Sequence, residues 1–126
     1  MEERVLLVDD DPATVSLVTD ALTGAGFFVS SVTDALSCLN ALQDDLPDLL
    51  ILDVMLPDMD GFEVLATIRN NDATRRLPVM MLTARDRHQD KLVGWMSGAD
   101  RYITKPFNVK DLVTATVQLL RPPAHG

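Results

Sequence analysis

The sequence predicts an α/β protein in which an open parallel sheet is covered by helices on both faces. Three observations support this fold class. Short apolar runs alternate five times with longer segments of helical period. The apolar runs are mostly continuous rather than alternating, which is typical of strands buried on both faces. The chain has 126 residues, 47% of them hydrophobic, so it can bury one sizeable core.

The five predicted strands are short segments rich in apolar and β-branched side chains. They comprise residues 5–8, 28–32, 48–52, 79–82 and 102–104. Each strand is followed by a segment of helical period, so the chain reads as successive βα units joined by right-handed crossovers. Strands in such units run parallel, and therefore their carboxyl ends lie at one edge of the sheet.

The first two predicted helices have clear start signals. The first begins at Asp11-Pro12, a good N-cap followed by proline at the first helical position, and Gly24 and Gly26 end it. The second opens near residues 33–34. Its apolar stripe includes Cys38, which we therefore expect to be an inert core thiol.

The last three predicted helices follow the third, fourth and fifth strands. The third begins near Gly61, and the fourth covers residues 88–97, with Gly98 as its stop. The fifth is the most regular, because its apolar side chains recur at the spacing of one helix face. The expected inward residues of the third helix are Phe62, Leu65, Ala66 and Ile68. Those of the fifth helix are Val109, Leu112, Val113, Thr116, Val117 and Leu120.

Composition excludes several classes of protein. Charged residues make up 24% of the chain, an ordinary globular value. The single cysteine excludes an intrachain disulfide and a cysteine-rich zinc site. The first apolar run is too short for a signal peptide or a membrane span, so we expect a cytoplasmic protein without membrane contact. We expect one domain over residues 1–121, with residues 122–126 as a free tail or the start of a linker.

The net charge of −8 is unevenly distributed along the chain. Residues 1–68 hold fourteen acidic residues and one basic residue, whereas residues 69–105 carry a net charge of +4. This pattern indicates either ordinary surface charge or an acidic pole opposite a weakly basic face. In the second case we expect the basic face, which includes Arg87 and Lys91, to dock an acidic protein surface. A surplus of +4 is small for direct binding to nucleic acid.

Polar side chains gather at the predicted carboxyl ends of four strands. Asp9, Asp10 and Asp11 follow the first strand, and Asp53 follows the third. Thr83-Ala84 follows the fourth strand, and Lys105-Pro106 follows the fifth. Clustered carboxylates repel one another, so either some are protonated or a hard cation such as Mg²⁺ is bound. A threonine hydroxyl, a backbone N–H and a lysine are suited to holding a phosphoryl group.

Asp53 is the best candidate for a covalent phosphoryl acceptor, because it stands alone at the end of a buried strand. The neighbouring polar residues have simpler interpretations. Asp11 is expected to be a helix N-cap, and Asp58 and Asp60 are expected to be turn residues. The two histidines, His88 and His125, have no metal-like spacing and are expected at the surface.

Four stretches, in this order, resemble the receiver domain of two-component response regulators. They are VLLVDDD at residues 5–11, LLILDVMLPDMDG at 49–61, MLTAR at 81–85 and GADRYITKPF at 98–107. The resemblance covers roughly residues 3–121. It implies a flavodoxin-like, doubly wound (βα)5 fold with strand order 2-1-3-4-5.

The resemblance also implies a role for each matching residue. Asp53 is implied to be phosphorylated by a histidine kinase or a phosphotransfer protein. The domain is implied to catalyse only its own phosphorylation and dephosphorylation. The implied Mg²⁺ ligands are Asp10, Asp53 and the backbone carbonyl of Met55, with Asp9 acting mostly through water. The resemblance implies that Lys105, Thr83 and Ala84 contact the phosphoryl group. Thr83 and Tyr102 are the implied switch residues, and the peptide bond before Pro106 is implied to be cis. Met55 and Arg85 are implied to tune the lifetime of the phosphoryl group.

The resemblance implies an output partner or an attached output domain, controlled through the face of the fourth helix, fifth strand and fifth helix. The resemblance also allows a phosphorylation-dependent homodimer through this face. Arg101 argues against that dimer, because DNA-binding members of the family often carry an acid at this position. Three other classes compete with this interpretation. The first is a Mg²⁺-dependent phosphatase, which usually has a second acid at the position of Met55. The second is a flavin carrier, which needs a phosphate-binding loop after the first strand. The third is an interaction module that is not phosphorylated, which would not need the acidic residues at the strand ends.

Overall fold

The computed structural model describes residues 3–84 and 98–121 of the chain. The predicted helix at 88–97, the tail at 122–126 and the basic residues Arg85, Arg87 and Lys91 lie outside the described residues. None of the helices in these two ranges is long and apolar enough to cross a membrane. The elements are β1 (Arg4–Val8), α1 (Pro12–Gly24), β2 (Phe28–Val32), α2 (Ala35–Asp44), β3 (Leu49–Asp53), α3 (Gly61–Arg69), β4 (Val79–Ala84), β5 (Arg101–Lys105) and α4 (Val109–Leu120).

The five strands form one parallel sheet in the order β2-β1-β3-β4-β5, which confirms the predicted fold class and strand order. The register pairs Val8 with Leu52 and Asp53 with Leu82. On the other side of β4, Ala84 pairs with Lys105. Because all pairs are parallel, the residues that follow β1, β3, β4 and β5 reach the same edge of the sheet.

Each of the four described helices begins at an Asp or Asn N-cap, whose side chain accepts a backbone hydrogen bond that the helix cannot satisfy itself. The bonds are Ala13 to Asp11 (3.2 Å), Ser37 to Asp34 (2.7 Å), Phe62 to Asp60 (2.8 Å) and Lys110 to Asn108 (2.8 Å). The predicted end of α1 is confirmed, since Gly26 adopts the left-handed φ of 96° that glycine tolerates best.

The sheet is packed on both faces. One core combines alternate residues of the central strands with α2 and α3, and the other combines the remaining strand residues with α1 and α4. Cys38 lies in the first core and is buried, and this burial raises the pKa of its thiol to about 12. The thiol therefore stays protonated at neutral pH, as an inert core residue should.

The prediction that all strands are buried on both faces is wrong for β2. β1 and β3 are almost entirely buried, whereas β2 contains three exposed residues. Phe28, at its start, is 59% exposed. The reason is that β2 is an edge strand, so that neighbouring elements cover less of its surface.

The inward face of α3 also differs from the prediction. Ala66 is exposed, whereas Val64 is fully buried among the residues of the first core. Phe62, Leu65 and Ile68 are buried as predicted. Val64 and Leu65 are adjacent in sequence, so α3 presents a broad apolar arc to the sheet rather than one narrow stripe.

Candidate functional site

Three carboxylates meet at the carboxyl edge of the sheet. Asp9 follows β1 directly, Asp10 comes next, and Asp53 is the last residue of β3. Their carboxylate oxygens lie within 4.8 Å of one another. Asp9 is fully buried and Asp53 is 6% exposed, whereas Asp10 faces solvent. The site is therefore a partly buried acidic cluster with one open side.

Backbone hydrogen bonds fix the two buried carboxylates. The backbone N–H of Asp9 donates to the carbonyl of Val32 at 3.2 Å, which keeps the chain in line with β2 beyond the end of β1. The N–H of Asp11 donates to Asp9 Oδ1 at 2.9 Å, and the N–H of Met55 donates to Asp53 Oδ1 at 3.1 Å. Each carboxylate thus has one oxygen held by the turn that follows its own strand.

Lys105 lies between the two buried carboxylates. Its Nζ donates to Asp9 Oδ2 at 2.8 Å and to Asp53 Oδ2 at 3.1 Å. Burial raises the pKa of Asp53, and the charge of Asp9 raises it further. Burial alone would lower the pKa of Lys105, but the hydrogen bonds and charges of Asp9 and Asp53 raise it above its ordinary value. Lys105 is therefore a cation that partly neutralises the cluster.

The donor set suits a hard divalent cation. Three carboxylates face one ammonium group, so the cluster keeps a surplus of negative charge. Its oxygen ligands are close together, and Asp10 leaves one side accessible. Carboxylate oxygens with room for water and phosphate oxygens are what Mg²⁺ prefers in proteins. The residues present therefore fit such an ion.

Thr83 places a buried hydroxyl beside the acidic cluster. The residue is buried, and its Oγ1 has no hydrogen-bond partner among the described residues. It follows Leu82, the residue that pairs with Asp53 across β3 and β4, so Thr83 lies beside the acidic cluster. A buried hydroxyl without a partner is costly, which favours a ligand at this place.

The other predicted site residues lie on the adjoining strands. Ala84 ends β4, is partly buried and pairs with Lys105. Tyr102 lies on β5 and is partly buried, and burial raises the pKa of its phenol to about 12. The peptide bond between Lys105 and Pro106 is cis.

The connection between β3 and α3 contains a contact that the sequence did not predict. Met55, beside Asp53, is exposed, and its backbone forms an antiparallel bridge with Asp60. Asp58, expected as a simple turn residue, instead accepts backbone hydrogen bonds from Ala35 at 2.8 Å and Leu36 at 3.1 Å. No local pattern indicates this contact, because its partners lie more than twenty residues away.

Comparison with known proteins agrees with this geometry. The profile of one family, described as the response regulator receiver domain, matches residues 5–117. The DNA-binding dual master transcriptional regulator RpaA of Synechocystis is 43% identical over 118 residues, which are 94% of this chain and 49% of that protein. The transcriptional regulatory protein TrcR of Mycobacterium tuberculosis is 44% identical over 122 residues, which are 97% of this chain and 47% of that protein. The chain thus spans about half the length of the curated relatives it matches.

Solved structures show the same fold. The chemotaxis response regulator CheY4 of Vibrio cholerae superposes with a TM-score of 0.88 at 31% identity, and the match covers 95% of this chain and 100% of that chain. The receiver domain of NtrX from Brucella abortus superposes with a TM-score of 0.86 at 29% identity, and the match covers 94% of this chain and 99% of that chain. Both similarities extend over nearly the whole of each chain, so they concern the complete sheet and its carboxyl edge.

Proposed function

Because the chain belongs to the response regulator receiver domain family, we propose that it accepts a phosphoryl group on Asp53 in two-component signalling. The observation that carries the proposal is the position of Asp53 at the end of buried β3, in contact with Lys105 and close to two further carboxylates. The donor is a histidine kinase or a phosphotransfer protein. The chain promotes only its own phosphorylation and dephosphorylation and is not an enzyme for other substrates.

In the proposed reaction, a carboxylate oxygen of Asp53 attacks the phosphorus of a phosphohistidine. The O–P bond forms as the N–P bond breaks, and the N–P electron pair stays on the imidazole nitrogen, which solvent can protonate. The N–H of Met55 and the Nζ of Lys105 each bond one oxygen of Asp53, and so they orient the carboxylate before the donor arrives. The Lys105 cation also opposes the negative charge of the phosphoryl oxygens.

The proposed Mg²⁺ site uses the acidic cluster. Asp10 and Asp53 are its direct side-chain ligands, the backbone carbonyl of Met55 is a third ligand, and Asp9 acts mostly through water. When bound, the ion supplies positive charge that offsets both the carboxylates and the phosphoryl oxygens. The surplus of acids over the single Lys105 ammonium supports this assignment.

We further propose that Thr83, Ala84 and Tyr102 respond to phosphorylation. The Thr83 hydroxyl, which lacks a described partner, donates to the phosphoryl group, and the Ala84 backbone N–H adds a second donor. Tyr102 follows Thr83 inward. The two side chains lie on neighbouring strands, so a shift of Thr83 changes the surface around β4 and β5.

The proposed partners follow from the half-length match and from the charge distribution. The curated relatives are about twice as long and include proteins named as DNA-binding, so an attached output domain or a separate output protein is expected. We propose a cytoplasmic location and no direct DNA binding by residues 1–121, and we leave a phosphorylation-dependent homodimer as the alternative output. Tight binding of duplex DNA by this chain at physiological salt would contradict the proposal, since its net charge is −8.

The experiment is phosphorylation by acetyl phosphate with Mg²⁺, followed by intact mass measurement. The wild-type chain should gain one phosphoryl group, and Asp53→Asn should gain none. Asp11→Asn is the matched control, because Asp11 is also an acid near the site but serves as the N-cap of α1. It should be phosphorylated like the wild type. A receiver that loses its own phosphoryl group also consumes acetyl phosphate repeatedly, so the phosphatase alternative is tested with an unactivated phosphomonoester such as p-nitrophenyl phosphate. Rapid hydrolysis of that compound in many turnovers per chain would favour a phosphatase instead.

A further inference from the structure

The loop between β3 and α3, residues 54–60, is closed at its base. The backbones of Met55 and Asp60 form a bridge, and the N–H of Gly61 donates to the carbonyl of Val54 at 2.7 Å. Asp60 then caps α3 by accepting from Phe62 at 2.8 Å. Met55, whose N–H donates to Asp53, therefore lies in this closed base of the loop.

The tip of the same loop is tied to a different helix. Asp58 accepts hydrogen bonds from the first two N–H groups of α2, those of Ala35 at 2.8 Å and Leu36 at 3.1 Å. The helix's own N-cap, Asp34, accepts from Ser37 at 2.7 Å. Two carboxylates therefore serve the start of α2, one from its own N-cap and one from the loop that borders the phosphorylation site.

The hydrogen bond from Ala35, followed by that from Leu36, lowers the pKa of Asp58, so Asp58 is a charged acceptor at neutral pH. Leu56 and Met59 pack the inner side of the loop against the first core. Asp58 itself is exposed, so its carboxylate is not required to fill the core. Its contacts link the loop to the start of α2.

We propose that Asp58 is a positioning residue for the phosphorylation site. Its hydrogen bonds join loop 54–60 to the start of α2, and they thereby keep the Met55 backbone close to Asp53 and in position for the cation site. Signals at the site also reach α2 through this contact, a route separate from β4 and β5. The proposal rests on the proposed function, because it concerns the Mg²⁺ ligand that Met55 contributes.

The test compares Asp58→Ala with Asp34→Ala, using Mg²⁺ titrated by calorimetry. Both changes remove one carboxylate that bonds N–H groups at the start of α2, and both remove one negative charge. Only Asp58→Ala also removes the hydrogen bonds between the loop and α2. We expect it to weaken Mg²⁺ binding roughly 3- to 10-fold, at or below the range for residues that support a metal ligand, because Leu56 and Met59 still hold the loop. Asp34→Ala should lower the melting temperature but leave the Mg²⁺ affinity unchanged.

Asp58→Asn supplies the rescue, since its amide oxygen can still accept one of the two hydrogen bonds. Its Mg²⁺ affinity should lie between those of the wild type and Asp58→Ala. Hydrogen exchange of the Ala35 and Leu36 amides gives a readout independent of phosphorylation. Mg²⁺ should slow this exchange in the wild type and not in Asp58→Ala.

The Mg²⁺ affinities of the wild type and the two alanine variants test both the cation site and the role of Asp58. If Asp58→Ala binds Mg²⁺ as the wild type does, or if Asp34→Ala is weakened equally, Asp58 is only a helix cap and the positioning role is wrong. If the wild type itself binds no Mg²⁺, the proposed cation site fails, and the positioning role fails with it. Wild-type binding that is weakened only by Asp58→Ala supports both.

Discussion

At the scale of single residues, the site depends on one cation between two buried acids. Lys105 bonds Asp9 and Asp53 at 2.8 and 3.1 Å, and both carboxylates are almost completely removed from solvent. A buried carboxylate without a partner is strongly destabilising, whereas a paired one can be tolerated. In the metal-free protein, Lys105 therefore has a structural role besides the phosphoryl contact proposed for it.

Lys105→Met should destabilise the metal-free protein by about 2–4 kcal/mol, because it leaves two buried carboxylates facing each other without a counterion. Saturating Mg²⁺ should recover part of this loss by binding only the folded state. Urea denaturation in a chelator and in Mg²⁺ measures both effects. Equal stability of Lys105→Met and the wild type in the chelator would show that the lysine does not compensate the acids.

The sequence predicted that most residues of this site lie close together, because the carboxyl ends of parallel strands must meet at one edge of the sheet. Asp9, Asp53 and Lys105 therefore came together once the strands were recognised as parallel. Asp58 could not be found in this way. In Pro57-Asp58-Met59-Asp60 it has the pattern of a turn residue, and its bonds to α2 exist only after the loop has docked on that helix.

At the scale of elements, Gly61 lets α3 start directly against the end of β3. A Cβ at this position would lie 2.5 Å from the carbonyl oxygen of Asp53 and 2.7 Å from the Cα of Val54. Both are backbone atoms, so neither can rotate away. Glycine is thus required where the helix approaches the end of the strand that carries Asp53.

Gly61→Ala should destabilise the protein by about 1–3 kcal/mol, the usual range for a steric overlap in a packed region. The matched control is Gly24→Ala at the end of α1, where a Cβ would meet nothing within 4 Å. That change should be neutral or stabilising by up to about 1 kcal/mol. Urea denaturation compares them, and similar effects at the two glycines would contradict the close packing of α3 on β3.

The strands and helix starts were more predictable than the faces of the helices. Strand segments and N-caps carry strong local signals, and the observed β1 and α1 begin within one residue of the predictions. Val64 was missed because a narrow stripe was assumed, whereas a helix covering a sheet buries a wider arc. Exposure of β2 depends on its place at the sheet edge, which local composition does not report.

At the scale of the whole molecule, the last described helix is fastened to the beginning of the sheet. Arg121, the C-cap of α4, forms a bidentate ion pair with Glu3. Its Nε donates to Glu3 Oε2 and its Nη2 donates to Glu3 Oε1, both at 2.8 Å. Its guanidinium also lies 4.3 Å from the centre of the Phe27 ring. Glu3 precedes β1 and Phe27 precedes β2, so this clasp joins three parts of the chain that are distant in sequence.

The clasp predicts a specific pH dependence. The hydrogen bond from Arg121 lowers the pKa of Glu3 from 4.5 to about 2. A lowered carboxyl pKa stabilises the folded state above the unfolded value, and this contribution is lost as the pH falls through the folded value. The wild type should therefore exceed Glu3→Gln in stability at neutral pH, and this difference should shrink between pH 4.5 and about 2.

Urea denaturation of both proteins at about pH 6 and about pH 3 measures this difference. Asp20→Asn is the control, because Asp20 is an exposed acid that makes no ion pair within the described part of the chain. It should differ little from the wild type at either pH. A difference between wild type and Glu3→Gln that stays constant with pH would show that the ion pair does not form in solution.

The central claim is that Asp53 alone among the clustered acids takes the phosphoryl group, and peptide mapping tests it most directly. The chain is phosphorylated with acetyl phosphate and Mg²⁺, the acyl phosphate is trapped by borohydride reduction, and the modified residue is located by peptide mass spectrometry. We expect a single modified residue, Asp53, at the end of β3, and no modification when Mg²⁺ is chelated. Modification of Asp9 or Asp10 with Asp53 intact, or efficient modification without any divalent cation, would contradict the account.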